Sequence, residues 1–147
     1  MEEEPKQEKP LLECRVLLVE DFPDSQRLIS YHLKQAGAEV FFADNGLIAL
    51  ELALEARDHG LPFDIILMDI QIPVFDGNEA TKILREADLR IPIIALTAHD
   101  DLYNRDQSMQ AGCDEYFTKP VDAEVLVDTL AEYMKTQEKL WDRVTNA

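Results

Sequence analysis

Residues 66–77 read ILMDIQIPVFDG. An apolar run ends abruptly on the carboxylate of Asp69, and a proline-interrupted loop then leads to a second turn signal at Asp76-Gly77. Near-continuous hydrophobicity over so short a span is the mark of a strand covered on both faces. A charged group at the end of such a strand is costly to bury without partners. The question the stretch raises is what meets Asp69.

The surrounding chain repeats the same rhythm. The runs RVLLV (15–19), EVFFA (39–43), DIILM (64–68), PIIALT (92–97) and EYFT (115–118) read as strands by length, β-branching and flanking breakers. Between them, 23–36, 46–59, 78–87 and 103–111 carry apolar residues at helical spacing, and three of these segments stop at Gly37, Gly60 and Gly112. A fifth helix is expected from Asp122 to about Arg143. Strict alternation of strand and helix predicts an α/β fold, a (βα)5 doubly wound five-stranded parallel sheet with right-handed crossovers. Ligands of such sheets lie beyond the carboxyl ends of the strands. There the first strand delivers Glu20 and Asp21, the third Asp69, the fourth Thr97, and the fifth leads into Lys119-Pro120.

Bulk properties bound the partners. A chain of 147 residues with 46% apolar content supports one globular domain. A formal charge of −16, from 30 acids against 14 Lys and Arg, disfavours nucleic acid and anionic membrane and favours proteins or small cations. Cys14 and Cys113 have no CxxC or His-rich context and read as buried free thiols in a reducing, cytoplasmic setting. No stretch approaches a membrane span, and MEEEPKQEKP lacks the basic start and apolar middle of a signal peptide. The expected organisation is a disordered acidic tail over 1–13, a domain over 14–135, and a helical extension or tail over 136–147.

Three carboxylates at one sheet edge repel one another and raise each other's pKa unless a cation joins them. Oxygen donors without thiol or imidazole select a hard divalent ion, with Mg²⁺ first and Mn²⁺ second. With its charge so masked, Asp69 can act as a nucleophile toward phosphorus, while Lys119 and the Thr97 hydroxyl hold phosphoryl oxygens. Each residue alone has a plainer role as a solvated turn, a helix cap, a strand end or a surface charge. Five of them at the correct strand ends form a set.

The order LLVED (17–21), ILMDIQIPVFDG, PIIALTA (92–98) and YFTKP (116–120) closely resembles the receiver domain of two-component response regulators, including receivers attached to hybrid histidine kinases. The resemblance implies the flavodoxin-like strand order 2-1-3-4-5. It implies that Asp69 is the phosphoacceptor, that Glu20, Asp21, Asp69 and the Gln71 backbone carbonyl hold the metal, and that Thr97 and Lys119 contact the phosphoryl group. Thr97 and Tyr116 take the switch positions. Gln71, Ala98 and His99 occupy positions governing phosphoryl access and lifetime, and Lys119-Pro120 the position of a cis peptide. The implied donor is a histidine kinase or a histidine phosphotransfer protein, and the implied output a protein partner docking on the fourth helix, fifth strand and fifth helix.

Alternatives are weaker. A haloacid-dehalogenase-type phosphohydrolase needs a second acid two residues after its nucleophile, where this chain has Gln71. A flavodoxin-like cofactor binder needs a Ser/Thr/Gly-rich phosphate loop after the first strand, where EDFPD presents negative charge. An unphosphorylated interaction module has no use for the complete set. The chain after Pro120 is too short for an effector domain, so a free-standing receiver and the terminal receiver of a hybrid kinase are the two expected contexts. Leu126, Leu130, Tyr133, Gln137, Leu140 and Val144 follow a heptad seam, whose outer half is expected to fray or pack back or, as the minority reading, to make a homodimer contact.

Overall fold

The structure is a computed structural model that describes residues 9–72, 74–98 and 101–145, with backbone alone for 138–145. Ten elements alternate as expected: β1 Arg15–Val19, α1 Pro23–Gln35, β2 Glu39–Ala43, α2 Gly46–Asp58, β3 Ile65–Asp69, α3 Gly77–Glu86, β4 Ile93–Thr97, α4 Leu102–Ala111, β5 Glu115–Thr118 and α5 Ala123–Thr145. All strand pairs are parallel, in the order β2-β1-β3-β4-β5. The third strand begins and ends one residue later than its apolar run, so Asp69 is a ladder residue paired with Leu96.

The burial of each strand follows from its place in the sheet. β3 and β4 are buried at every position, and β1 at every position after Arg15, because helices cover both faces. Edge strands β2 and β5 are partly exposed. Alternate side chains feed two cores. Leu17, Ile66, Met68, Ile93 and Ala95 pack toward Ala49, Ala53, Ala80 and Leu84 of α2 and α3. Val16, Leu18, Ile65, Leu67, Ile94 and Leu96 pack toward Ile29 and Leu33 of α1 and Leu126 and Leu130 of α5. The inner half of the heptad seam is thus core, while the side chains of Leu140 and Val144 lie outside the described residues.

One expectation needs correction. Leu11, assigned by composition to a disordered tail, is fully buried beside Cys14, Val16 and Leu33, and its N–H donates to the Ala36 carbonyl at 2.8 Å. A lone apolar pair in a charged stretch carries no periodicity, so only the folded neighbours reveal it. Phe22, next to the acid pair, is 56% exposed. Gly37, Gly60 and Gly112 all take positive φ at helix ends, but α3 is closed without glycine, by Asp88 at φ 67.

Arg85 braces the amino edge of the sheet. Its guanidinium donates to the carbonyls of Gly112 (3.0 Å), Leu89 and Ile91 (both 2.8 Å) and to the Asp114 carboxylate (2.9 Å). That carboxylate also accepts from Ile93 N at 2.9 Å, so one ion pair ties α3, β4 and the start of β5. Arg85→Met keeps the stem and strands these acceptors. A loss of about 2–4 kcal/mol in urea unfolding is expected, whereas Arg27→Met, removing the exposed pair with Asp24, should leave the midpoint unchanged.

Cys14 and Cys113 are buried free thiols. Burial, reinforced by Asp64, pushes the Cys14 thiol up to about 12, and burial pushes Cys113 up to about 11 against the opposing hydrogen bond to Thr81. The unfolded chain loses these protons near the ordinary value of 9.0 while the folded chain keeps them. Their contribution is therefore complete below pH 9 and is lost as pH rises toward 11 and 12. A disulfide reagent near neutral pH should label neither thiol until the chain unfolds. Cys14→Ala should show a shallower alkaline decline in stability than the native protein.

Candidate functional site

The carboxyl edge of the sheet assembles the site because each ladder runs one residue past its strand. Glu20 N donates to the Ala43 carbonyl at 3.0 Å, which carries Glu20 on from β1 into a fully buried position. Lys119 N donates to the Thr97 carbonyl at 2.7 Å, which carries Lys119 past β5 and over β4. The Lys119-Pro120 peptide is cis, as the resemblance implies. The Lys119 ammonium then reaches Glu20 at 2.9 and 3.1 Å and Asp69 Oδ2 at 2.9 Å. The second oxygen, Asp69 Oδ1, accepts from Gln71 N at 3.0 Å.

The electrostatics follow from burial. Glu20 and Asp69 are almost wholly enclosed, while Asp21 is exposed at the mouth. Burial, together with the neighbouring Asp69 carboxyl, pushes Glu20 up to about 7 despite the opposing Lys119 ammonium. Burial pulls Lys119 down, yet its hydrogen bonds and charge attraction to Asp69 and Glu20 outweigh that and leave it raised. Carboxylate oxygens of Glu20, Asp21 and Asp69 lie within 4.8 Å of one another. An all-oxygen donor set this close, carrying more acid than one ammonium balances, fits a hard divalent cation.

The loop after β3 is held against Asp69 through close backbone approach. Gly77 N donates to the Ile70 carbonyl at 3.0 Å, and a Cβ at Gly77 would lie 2.5 Å from the Asp69 carbonyl oxygen. Only glycine fits there. Asp76 caps α3 by accepting from Glu79 N at 2.9 Å, so the Asp76-Gly77 turn signal has separate roles for its two residues.

Thr97 is 1% exposed at the end of β4, beside Asp69, and Tyr116 is half-buried on β5. His99 lies outside the described residues. Four contacts had no sequence signal. The Arg105 guanidinium of α4 lies 5.1 Å from the Tyr116 ring centroid, a cation–π arrangement. Gln26 donates its carboxamide to the Glu20 carbonyl and to Asp44 Oδ1. Gln71 Oε1 accepts from Ala98 N at 3.3 Å. Those of Gln26 with Asp44 and of Gln71 with Ala98 join residues far apart in the chain, which only the fold brings together.

Comparison with known proteins agrees with this fold. The profile of the response regulator receiver domain matches residues 16–131. The chain is 36% identical over 120 residues to hybrid signal transduction histidine kinase I of Dictyostelium discoideum, covering 79% of this chain and 7% of that one. It is 38% identical over 121 residues to the polar-differentiation response regulator DivK of Brucella anthropi, covering 81% of this chain and 94% of that one. Against the histidine kinases it matches, the chain thus spans a small part of their length, 13% for the sensor histidine kinase GacS of Pseudomonas protegens. Chemotaxis protein CheY4 of Vibrio cholerae superposes with a TM-score of 0.73 at 31% identity, covering 82% of this chain and 98% of that one. The Saccharomyces cerevisiae receiver domain of Ssk1, solved with the histidine phosphotransfer protein Ypd1, gives a TM-score of 0.77 at 28% identity, with 84% of this chain and 90% of that chain covered. With motif, fold and profile in agreement over the same residues, the chain belongs to the response regulator receiver domain family.

Proposed function

We propose that this receiver accepts a phosphoryl group on Asp69 from the phosphohistidine of a histidine kinase or histidine phosphotransfer protein, and that the modification alters a protein-binding face. The observation that carries the reading is the enclosed Asp69 carboxylate, anchored by Lys119 on one oxygen and by Gln71 N on the other, beside two further acids. A carboxylate held at both oxygens is oriented before a donor arrives, which removes part of the entropic barrier to transfer. Similarity to hybrid kinases, to a stand-alone regulator and to a receiver solved with its phosphotransfer protein supports the same donor class.

In the proposed step an Asp69 oxygen attacks phosphorus, the phosphorus–nitrogen bond to the donor imidazole breaks, and its electron pair stays on that nitrogen. The product is an aspartyl phosphate. The Lys119 ammonium, already on Asp69 Oδ2, shifts onto a phosphoryl oxygen, and the Thr97 hydroxyl donates to another. Glu20, Asp21, Asp69 and the Gln71 carbonyl are the residues that would hold Mg²⁺ or Mn²⁺. When bound, that ion supplies the positive charge that lets an anionic carboxylate and an anionic phosphoryl group meet. Hydrolysis by water returns Asp69, with Gln71 and Ala98 beside its approach.

Output is assigned to the α4-β5-α5 face. Leu102 and Tyr103 on α4 are 76% and 71% exposed, more apolar surface than a free helix start needs. Thr97, moving toward the phosphoryl group, opens space for Tyr116, and Tyr116 carries its Arg105 contact on α4 with it. Moving such an equilibrium from mostly off to mostly on takes about 5.5 kcal/mol, which several coordinated contacts supply and one hydrogen bond does not.

Acetyl phosphate with Mg²⁺ should give one acid-stable, base-labile phosphoryl adduct by intact mass, absent in Asp69→Asn and absent with EDTA. An adduct that persists in Asp69→Asn refutes the assignment. Thr97→Ala should still bind beryllofluoride yet lose most of the amide-shift change over 102–130. A full response on that face in Thr97→Ala would place the output route elsewhere.

A further inference from the structure

The Gln71 side chain has a contact that the phosphoacceptor reading does not require. Gln71 leaves the loop after β3 two residues beyond Asp69, and its backbone N–H is committed to Asp69 Oδ1 at 3.0 Å. Its carboxamide does something separate: Oε1 spans to the loop after β4 and accepts the Ala98 N–H at 3.3 Å. Both residues are exposed, so packing does not force the side chain into this position. Holding a long, solvent-exposed side chain across two loops costs rotamer entropy.

The register shows what the carboxamide covers. Asp69 pairs with Leu96, so Thr97 and Ala98 stand one and two residues farther along β4 in the direction in which the sheet edge opens. Neighbouring strands are about 4.8 Å apart. A tetrahedral oxyanion attached to an Asp69 oxygen therefore extends to the level of Thr97 and Ala98, where a backbone N–H is a ready anion donor. That N–H is the one Gln71 Oε1 occupies. Ala98, with its single methyl, presents the amide without side-chain cover.

We propose that Gln71 is a placeholder: its carboxamide oxygen sits on the Ala98 amide in the unmodified protein and must be displaced before an oxygen on the Asp69-bound group can take that donor. The inference rests on the phosphoacceptor reading and adds a sign to it. Gln71 is a positioning residue that acts through Ala98 and opposes occupancy of the site. Removing its acceptor makes the site easier to fill, the reverse of what loss of a direct ligand would do. Its backbone carbonyl, the group proposed for the metal, is untouched by side-chain replacement.

The test is beryllofluoride binding with Mg²⁺ to the full chain, following the Ala98 and Gln71 side-chain amide resonances. Gln71→Met, of similar length without an acceptor, and Gln71→Ala should bind beryllofluoride about two- to tenfold more tightly, the factor one net hydrogen bond supplies. Before ligand is added, their Ala98 amide should exchange faster with solvent than the native one. Gln71→Glu keeps an acceptor and adds charge, so it should bind more weakly than native. In the native protein the Gln71 side-chain amide resonances should shift as beryllofluoride saturates. Equal or weaker beryllofluoride affinity in both Gln71→Met and Gln71→Ala, with native-like melting, overturns the inference and leaves phosphorylation of Asp69 standing. A native protein that takes up no beryllofluoride overturns both.

Discussion

The Lys119 ammonium bridging Glu20 and Asp69 is the interaction on which the working end of this molecule depends. Two carboxylates enclosed side by side at the ends of β1 and β3 would repel strongly in a poorly solvated edge. A single cation, delivered from the far side of β4, reaches both at 2.9 Å. Breaking such a bridge leaves buried charge without compensation, which is why its geometry constrains everything that supplies it. β5 must lie beside β4, the chain must turn at the cis Lys119-Pro120 peptide, and the ladder must continue through Lys119 N.

That requirement explains the division of labour in the sheet. Helices cover both faces of the three central strands, so their backbones are fixed by packing and their carboxyl ends are placed with little freedom. The amino edge does the opposite work. There Asp64 accepts from Arg15 N at 2.8 Å and Asp114 from Ile93 N at 2.9 Å, and Arg85 ties the carbonyls around them. Acids at the amino edge finish hydrogen-bond ladders and are satisfied. Acids at the carboxyl edge are left in excess over their one ammonium, and that imbalance suits a cation and an anionic group arriving together.

Around this centre the contacts fall into those that hold the site and those that can change. Gly77 pressed on the Asp69 carbonyl and Lys119 between two acids belong to the first kind, because neither can shift without disturbing backbone or stranding charge. The Gln71 carboxamide on Ala98 and the Arg105 guanidinium over Tyr116 belong to the second. Each is a single contact between a long side chain and a loop or ring, worth about 1 kcal/mol. The modification proposed for Asp69 is of a size to displace such contacts.

The parallel α/β architecture and the identity of the acidic residues were determined by the sequence, because both rest on local signals. Apolar runs of strand length alternate with helical periodicity, and a carboxylate directly after a run must emerge at a strand's carboxyl end. Glu20, Asp21, Asp69, Thr97 and Lys119 were legible for that reason. The tertiary structure decided what those residues do to one another. That Lys119 spans two acids and that Glu20 is fully buried while Asp21 next to it is exposed depend on strand register. The same is true of Leu11, which belongs to the core, and of Gln71 and Arg105, which reach across to Ala98 and Tyr116. These are contacts between residues distant in the chain, and the energy of such a contact depends on distance and burial, quantities that exist only once the chain has folded.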